Sequence, residues 1–182
     1  MTAPAEPTPR ATRSSGGGEP PSEDSVRRGR AEAAELGRLL DGLLVADVEH
    51  IGSGAVPGLA PGAVLELMAG VASLETGRAA EAVLAPAGWH YVPPAQDQRP
   101  WRRYFVKVRD GRRVAHLYLL DPASDRWRRQ LVFRDALRGD PALVTEYAAL
   151  RRARGTEFRD DREGHLRAKA AFVGRVLAEH GG

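Results

Sequence analysis

The chain contains no cysteine, which excludes disulfide bonds and cysteine-ligated zinc and is silent about compartment. Lysine is almost as scarce. It stands only at Lys107 and Lys169, so the basic count of 27 against 24 acids is carried by arginine. With abundant alanine and glycine, that bias reads as a GC-rich coding sequence. A net charge of +3 is too small to argue for a nucleic-acid partner. No apolar run approaches the ~20 residues of a membrane span, and the N-terminal stretch lacks the apolar core of a signal peptide. A cytoplasmic location without membrane contact is expected. The five histidines show no short metal-ligand spacing, and no internal repeat is visible.

What is present is a body of 42% hydrophobic residues behind a tail that lacks them. Residues 1–23 are rich in Pro, Gly, Ser and Thr and are expected to be disordered, because they offer too little apolar surface to offset ordering entropy. Residues 24–180 are expected to form one domain; 182 residues suffice for one substantial core and not for two.

The most informative stretch is Glu49–Val71, EHIGSGAVPGLAPGAVLELMAGV. It reads as a strand at 47–52, a turn-rich crossing at 53–62 and a second strand at 63–71. A Gly52–Ser53 pair at a loop start can offer backbone N–H groups and a hydroxyl to an anion, and Glu66 on the next strand can hold an accompanying metal. Spacing alone favours the plainer alternative, a tight turn between core strands with an exposed Glu66. Two sharper motifs fail. No Lys-Ser or Lys-Thr follows the last glycine, so there is no P-loop, and Pro57 replaces the third glycine of a dinucleotide fingerprint. Ser53 with His50 or His116 as base would be a nucleophile arrangement, but no G-x-S-x-G elbow supports it.

The second informative stretch is a hairpin. Asp110–Gly111 is a strong type I′ turn signal between apolar-alternating runs at 103–108 and 113–120. A regular register pairs Arg109 with Arg112, Lys107 with Val114, Phe105 with His116 and Arg103 with Tyr118. One face then carries Arg103, Phe105, Lys107, Val114, His116 and Tyr118, a group rich in phosphate donors. The other carries Tyr104, Val106, Val108, Ala115, Leu117 and Leu119 toward the core. Basic residues on a solvated strand face need no function, so both readings stand.

Around these, helices are expected at 24–44 and 74–87, with Leu74, Ala80, Val83 and Leu84 buried, then a strand at 89–92 and a loop at 93–100. The last third is expected to be helical. Ser124 or Asp125 caps a helix to Gly139, and Asp140–Pro141 opens one that stops near Gly155. Asp160 or Asp161 opens a last one with Leu166, Ala170, Val173 and Leu177 inward.

The EHIGSGAVPGL run, together with RRYFVK, AHLYLLD and WRRQLVFRDALR in that order, resembles the GrpB family over roughly residues 48–177. The resemblance implies a nucleotidyltransferase-like α/β fold of the α+β type, a mixed sheet flanked by helices with a helical C-terminal third. It implies a ligand that is a nucleotide or another phosphorylated small molecule. Glu66 would be the catalytic and metal-binding position, holding Mg²⁺ or Mn²⁺ for nucleotidyl transfer. Gly52, Ser53, Arg103, Lys107, His116 and Tyr118 would face the ligand, with His50, Arg128, Arg134 and Lys169 as further candidates. The chain departs from the family pattern at Gly54, where threonine is usual, and at Gly62–Ala63, where Lys-Pro is usual. Glu66 replaces an aspartate and Tyr118 a histidine, and Met68 supplies no second acid. Those departures leave a second expectation beside the first, a non-enzymatic interaction module that retains the fold.

Overall fold

The first element follows from Pro21 at a helix start, acids Glu23 and Asp24 in the first turn and Arg38 in the last, an order that complements the helix dipole. A computed structural model describes residues 21–153 and 161–182, so most of the expected tail and the expected stop at Gly155 lie outside the described residues. Helix α1 (Pro21–Leu39) begins three residues earlier than expected and ends five residues sooner, after which Gly42 turns the chain at φ 75°. Leu36 and Leu40 are fully buried against the sheet.

Five strands follow: β1 (Ala46–Ile51), β2 (Leu65–Gly70), β3 (Trp89–Val92), β4 (Arg103–Arg109) and β5 (Arg112–Leu120). They lie in the order β1-β2-β5-β4-β3, with β2 and β5 parallel and every other pair antiparallel. Helix α2 (Gly77–Leu84) is entered and left through single 3₁₀ turns, and Gly88, at φ 82°, stops it as expected. Ala80 and Leu84 are buried, but Val83 is exposed, one position off the buried stripe. The stretch expected to be a loop at 93–100 contains one helical turn, α3 (Pro94–Asp97), closed by Gln98 at φ 55°.

The hairpin corrects the expected register. Asp110 and Gly111 both have positive φ, as a type I′ turn requires, and Arg109 does pair with Arg112. Val108 then pairs with Arg113 but Lys107 with Ala115, so Val114 is an extra residue, a bulge in β5. Beyond it every pairing is offset by one: Phe105 opposes Leu117, Tyr104 opposes Tyr118 and Val106 opposes His116. A one-residue offset moves side chains to the other face. Arg103, Phe105 and Lys107 therefore share the face of Leu117 and Leu119, and Tyr104 shares that of His116 and Tyr118.

One sheet face is the core under α1 and α2, built on Leu67, Trp89, Phe105, Leu117 and Leu119. Over the other face lie α4 (Asp125–Gly139), α5 (Pro141–Ala153) and α6 (Arg162–Glu179). Ser124, Asp140 and Asp161 accept backbone N–H bonds at the three helix starts, at 3.3, 2.7 and 2.7 Å. Trp127 seals Ile51, Met68 and Leu120. Tyr147 and Phe172 stack within a core that includes Val56 and Leu59 of the glycine-rich crossing. On α6, Leu166 and Ala170 are exposed where burial was expected; His165, Phe172, Val176 and Leu177 point inward.

Candidate functional site

Gly52 closes β1 at φ 70°, a conformation that favours glycine. A Cβ there would lie 2.2 Å from Glu66 Oε2, so glycine is needed for conformation and for close approach alike. The chain then enters a 3₁₀ turn at Ser53–Ala55, and the Ser53 hydroxyl lies near Gly62 at the far end of the crossing. Helical arginines grip the carbonyls around this crossing. Arg134 Nη1 donates to His50 O at 3.1 Å, Arg138 Nε to Ala55 O at 2.9 Å, and Arg151 to Ala60 O. The glycine-rich run, unable to hold its shape through side chains of its own, is thereby fixed beside Glu66.

From Glu66 the site continues across the sheet. Glu66 neighbours His116, and Met68 neighbours Tyr118, on the parallel strands β2 and β5. The Tyr118 hydroxyl lies 3.4 Å from His116 Nδ1. Tyr104 stacks on Tyr118, centroids 5.4 Å apart, and meets His116 edge-on at 5.3 Å. Arg102 closes the group, its guanidinium 4.4 Å from the Tyr118 ring centre and 4.8 Å from that of Tyr104.

Electrostatics push each titratable member toward its neutral form. Burial raises the Glu66 carboxyl above its ordinary value, opposed by the positive charges of Lys169, Arg151 and Arg102. Burial also lowers the His116 imidazole, helped by Arg113 and Arg102, and raises both tyrosines. His116 Nε2 is buried with no hydrogen-bond partner among the described residues. The result is a group of donors and acceptors whose charged forms are disfavoured, rimmed by cations.

The donor set does not fit a two-metal centre. Such chemistry needs several carboxylates around the ions. Glu66 is the one acid on β2, and no group of three or more His, Cys, Asp or Glu among the described residues could hold a metal.

Gly52, Ser53, Glu66, His116 and Tyr118 are thus brought together, and the charge of Lys169 acts on Glu66. The other sequence candidates lie elsewhere. Lys107 is buried on the α1 face, its Nζ 2.5 Å from Glu32 Oε1. Arg103 packs its stem over the start of α2 at Gly77. Arg134 is buried in an ion pair with Glu49 at 2.5 Å, and exposed Arg128 donates to Gly181 O at 3.1 Å. His50 faces α1, where a Cβ at Gly29 would lie 2.0 Å from its Nδ1. Arg102, Tyr104 and Arg151 went unnoticed in the sequence. The Trp-Arg-x-Tyr order at 101–104, with Asp97 upstream, was the available signal for the first two.

A family model described as GrpB protein matches residues 20–179. The chain is similar to the UPF0157 protein YqkA of Bacillus subtilis, 26% identical over 142 residues, spanning 78% of this chain but 40% of that protein. It is also similar to the Glutamate-rich protein GrpB of Alkalihalophilus pseudofirmus, 24% identical over 137 residues, 74% of this chain and 79% of the relative. Among solved structures, that of the conserved protein GrpB from Enterococcus faecalis matches with a TM-score of 0.69 at 26% identity, covering 86% of this chain and 92% of the other.

Proposed function

This chain belongs to the GrpB family, and from that premise we propose that it binds a nucleotide or another phosphorylated small molecule at the Glu66 cluster, without metal-dependent nucleotidyl transfer. The observation that carries the reading is the half-buried Glu66 side chain packed against the Gly52 turn, where the charges of Lys169, Arg151 and Arg102 act on it. A phosphate brings negative charge to Lys169 and Arg151, whereas Arg102 is already paired with Asp97. Burial shifts Glu66 toward its protonated form, in which the carboxyl donates a hydrogen bond instead of repelling the anion. Tyr118 donates likewise, and His116 Nε2 gains the partner it is missing. With one carboxyl, the cluster supports binding and not two-metal transfer.

The test is a thermal-shift panel of nucleotides and inorganic phosphates, with and without Mg²⁺ or Mn²⁺, on wild type, Glu66→Gln and Lys169→Ala. Ligand at a hundredfold excess over Kd raises stability by about 2.7 kcal/mol. The expected result is a shift that needs no metal, survives in Glu66→Gln and shrinks in Lys169→Ala. A shift that requires metal and vanishes in Glu66→Gln would restore the nucleotidyl-transfer reading. No shift from any ligand would leave the interaction module.

A further inference from the structure

The aromatic group at the site has a second side. Tyr104, which meets His116 on one edge, also lines a cavity of about 420 Å³ between the end of β3, α3 and the β4–β5 hairpin. Its polar walls are Gln96, Asp97, Arg99, Arg102 and Arg113. Three arginines meet one acid there, and that acid is already spoken for. Arg102 Nε donates to Asp97 Oδ2 at 2.8 Å and Arg102 Nη2 to Asp97 Oδ1 at 2.6 Å, with both side chains more than nine-tenths buried. This forked pair cancels its own charge and holds the Arg102 plane against Tyr118 and Tyr104.

Arg99 and Arg113 are left as uncompensated positive charges within the lining. They are exposed and come from separate segments, one just after α3 and one from the bulged end of β5. A concave wall with one sign of charge concentrates anions. Forked guanidinium donors suit the several oxygens of a phosphoryl group. Arg113 also ties the cavity to the Glu66 cluster, since its charge acts on both Tyr104 and His116. The bulge contributes directly: were Val114 paired with Lys107 in a regular ladder, Arg113 would keep its place at the hairpin end while His116 and Tyr118 faced the other way.

We propose that this cavity is a second anion subsite, in which Arg99 and Arg113 hold the further phosphate of a diphosphate-bearing ligand whose other end lies at the Glu66 cluster. The inference rests on the phosphorylated-ligand reading above and narrows it, from phosphorylated compounds in general to those with a diphosphate group.

Calorimetric titration of the full chain with AMP, ADP and inorganic pyrophosphate tests it. Wild type is expected to bind ADP at least tenfold more tightly than AMP, with pyrophosphate competing against ADP. In the Arg99→Gln/Arg113→Gln double variant the ADP advantage is expected to fall to within about twofold, with AMP affinity falling much less than ADP affinity. Both positions are exposed, and an unchanged melting temperature confirms that the variant folds. Equal binding of AMP and ADP by wild type would overturn the subsite while leaving the phosphorylated-ligand reading intact. So would an ADP advantage that persists in the double variant. If pyrophosphate binds as tightly as ADP and its binding is lost in the double variant, the subsite stands and takes the free anion. Binding of none of the three by wild type would overturn the subsite, and the panel of other phosphates described above then decides the broader reading.

Discussion

The two faces of the sheet use similar residue types to opposite ends. Toward α1, a buried cation meets a nearly buried acid, Lys107 with Glu32 at 2.5 Å, beside a wall of Leu67, Phe105, Leu117 and Leu119. On the other face, half-buried Glu66 feels the charges of Lys169, Arg151 and Arg102, and His116 Nε2 has no hydrogen-bond partner among the described residues. The Lys107–Glu32 pair is closed within the fold; on the reading proposed above, the Glu66 cluster is closed by a ligand.

That contrast can be broken in order of expected effect. Lys107→Ala strands Glu32 in a nearly buried position, and we expect a loss of about 3–5 kcal/mol in urea unfolding with anion affinity unchanged in the folded fraction. A combined Glu32→Ala/Lys107→Ala variant that is no more stable than the single change would show that the pair is not the cause.

The faces should also respond to acid with opposite sign. His50, on the α1 face, titrates at about 4 instead of 6.5, because burial and then Arg138, Arg134 and Arg28 oppose its charge. The unfolded chain takes up that proton near pH 6.5 and the fold resists until about pH 4. Stability therefore falls by about 3 kcal/mol as pH drops through the window. Glu66 works the other way. Its carboxyl is raised above 4.5, so its contribution is lost as pH rises from 4.5 through the folded value. Melting temperature against pH should flatten on the acid side in His50→Gln and steepen in Glu66→Gln.

Smaller effects sharpen the site. Gly52→Ala places a side chain at φ 70° and within 2.2 Å of Glu66 Oε2. A loss of about 2 kcal/mol is expected, from left-handed strain together with crowding, accompanied by weaker ligand binding. Last, deleting Val114 should cost about 1 kcal/mol or less. It removes the bulge while Phe105 still opposes Leu117 and Tyr104 still opposes Tyr118. A crystal structure of the deletion in which His116 turns toward α1 would refute the role given to the bulge.

Much of this was legible in the chain. The Asp-Gly turn, the paired strands around the glycine-rich crossing, and the caps at Ser124 and Asp140 each carry local chemistry that reads directly as backbone geometry. The bulge carries none. Val114 is an ordinary strand residue, and two residues opposing one is a property of the pair of strands, invisible in either alone. That single omission put Arg103 and Lys107 on the wrong face and hid Tyr104. Glu66 was found because an acid interrupts an apolar run, whereas Arg102 was passed over for its neighbour Arg103. Arg151 could not be found at all, since its meeting with Ala60 depends on how α5 packs.

The arginines that hold the glycine-rich crossing bear on how the protein comes to be folded. Arg134, Arg138 and Arg151 reach back over 84, 83 and 91 residues to their carbonyls, while the hairpin closes through a two-residue turn. Local closures form early and long-range ones late, because a long loop loses more entropy before any contact rewards it. The sheet can thus assemble before the glycine-rich crossing is fixed beside Glu66, and that arrangement takes shape when the C-terminal helices arrive. Those same helices, on loosening, would be the first to let it go.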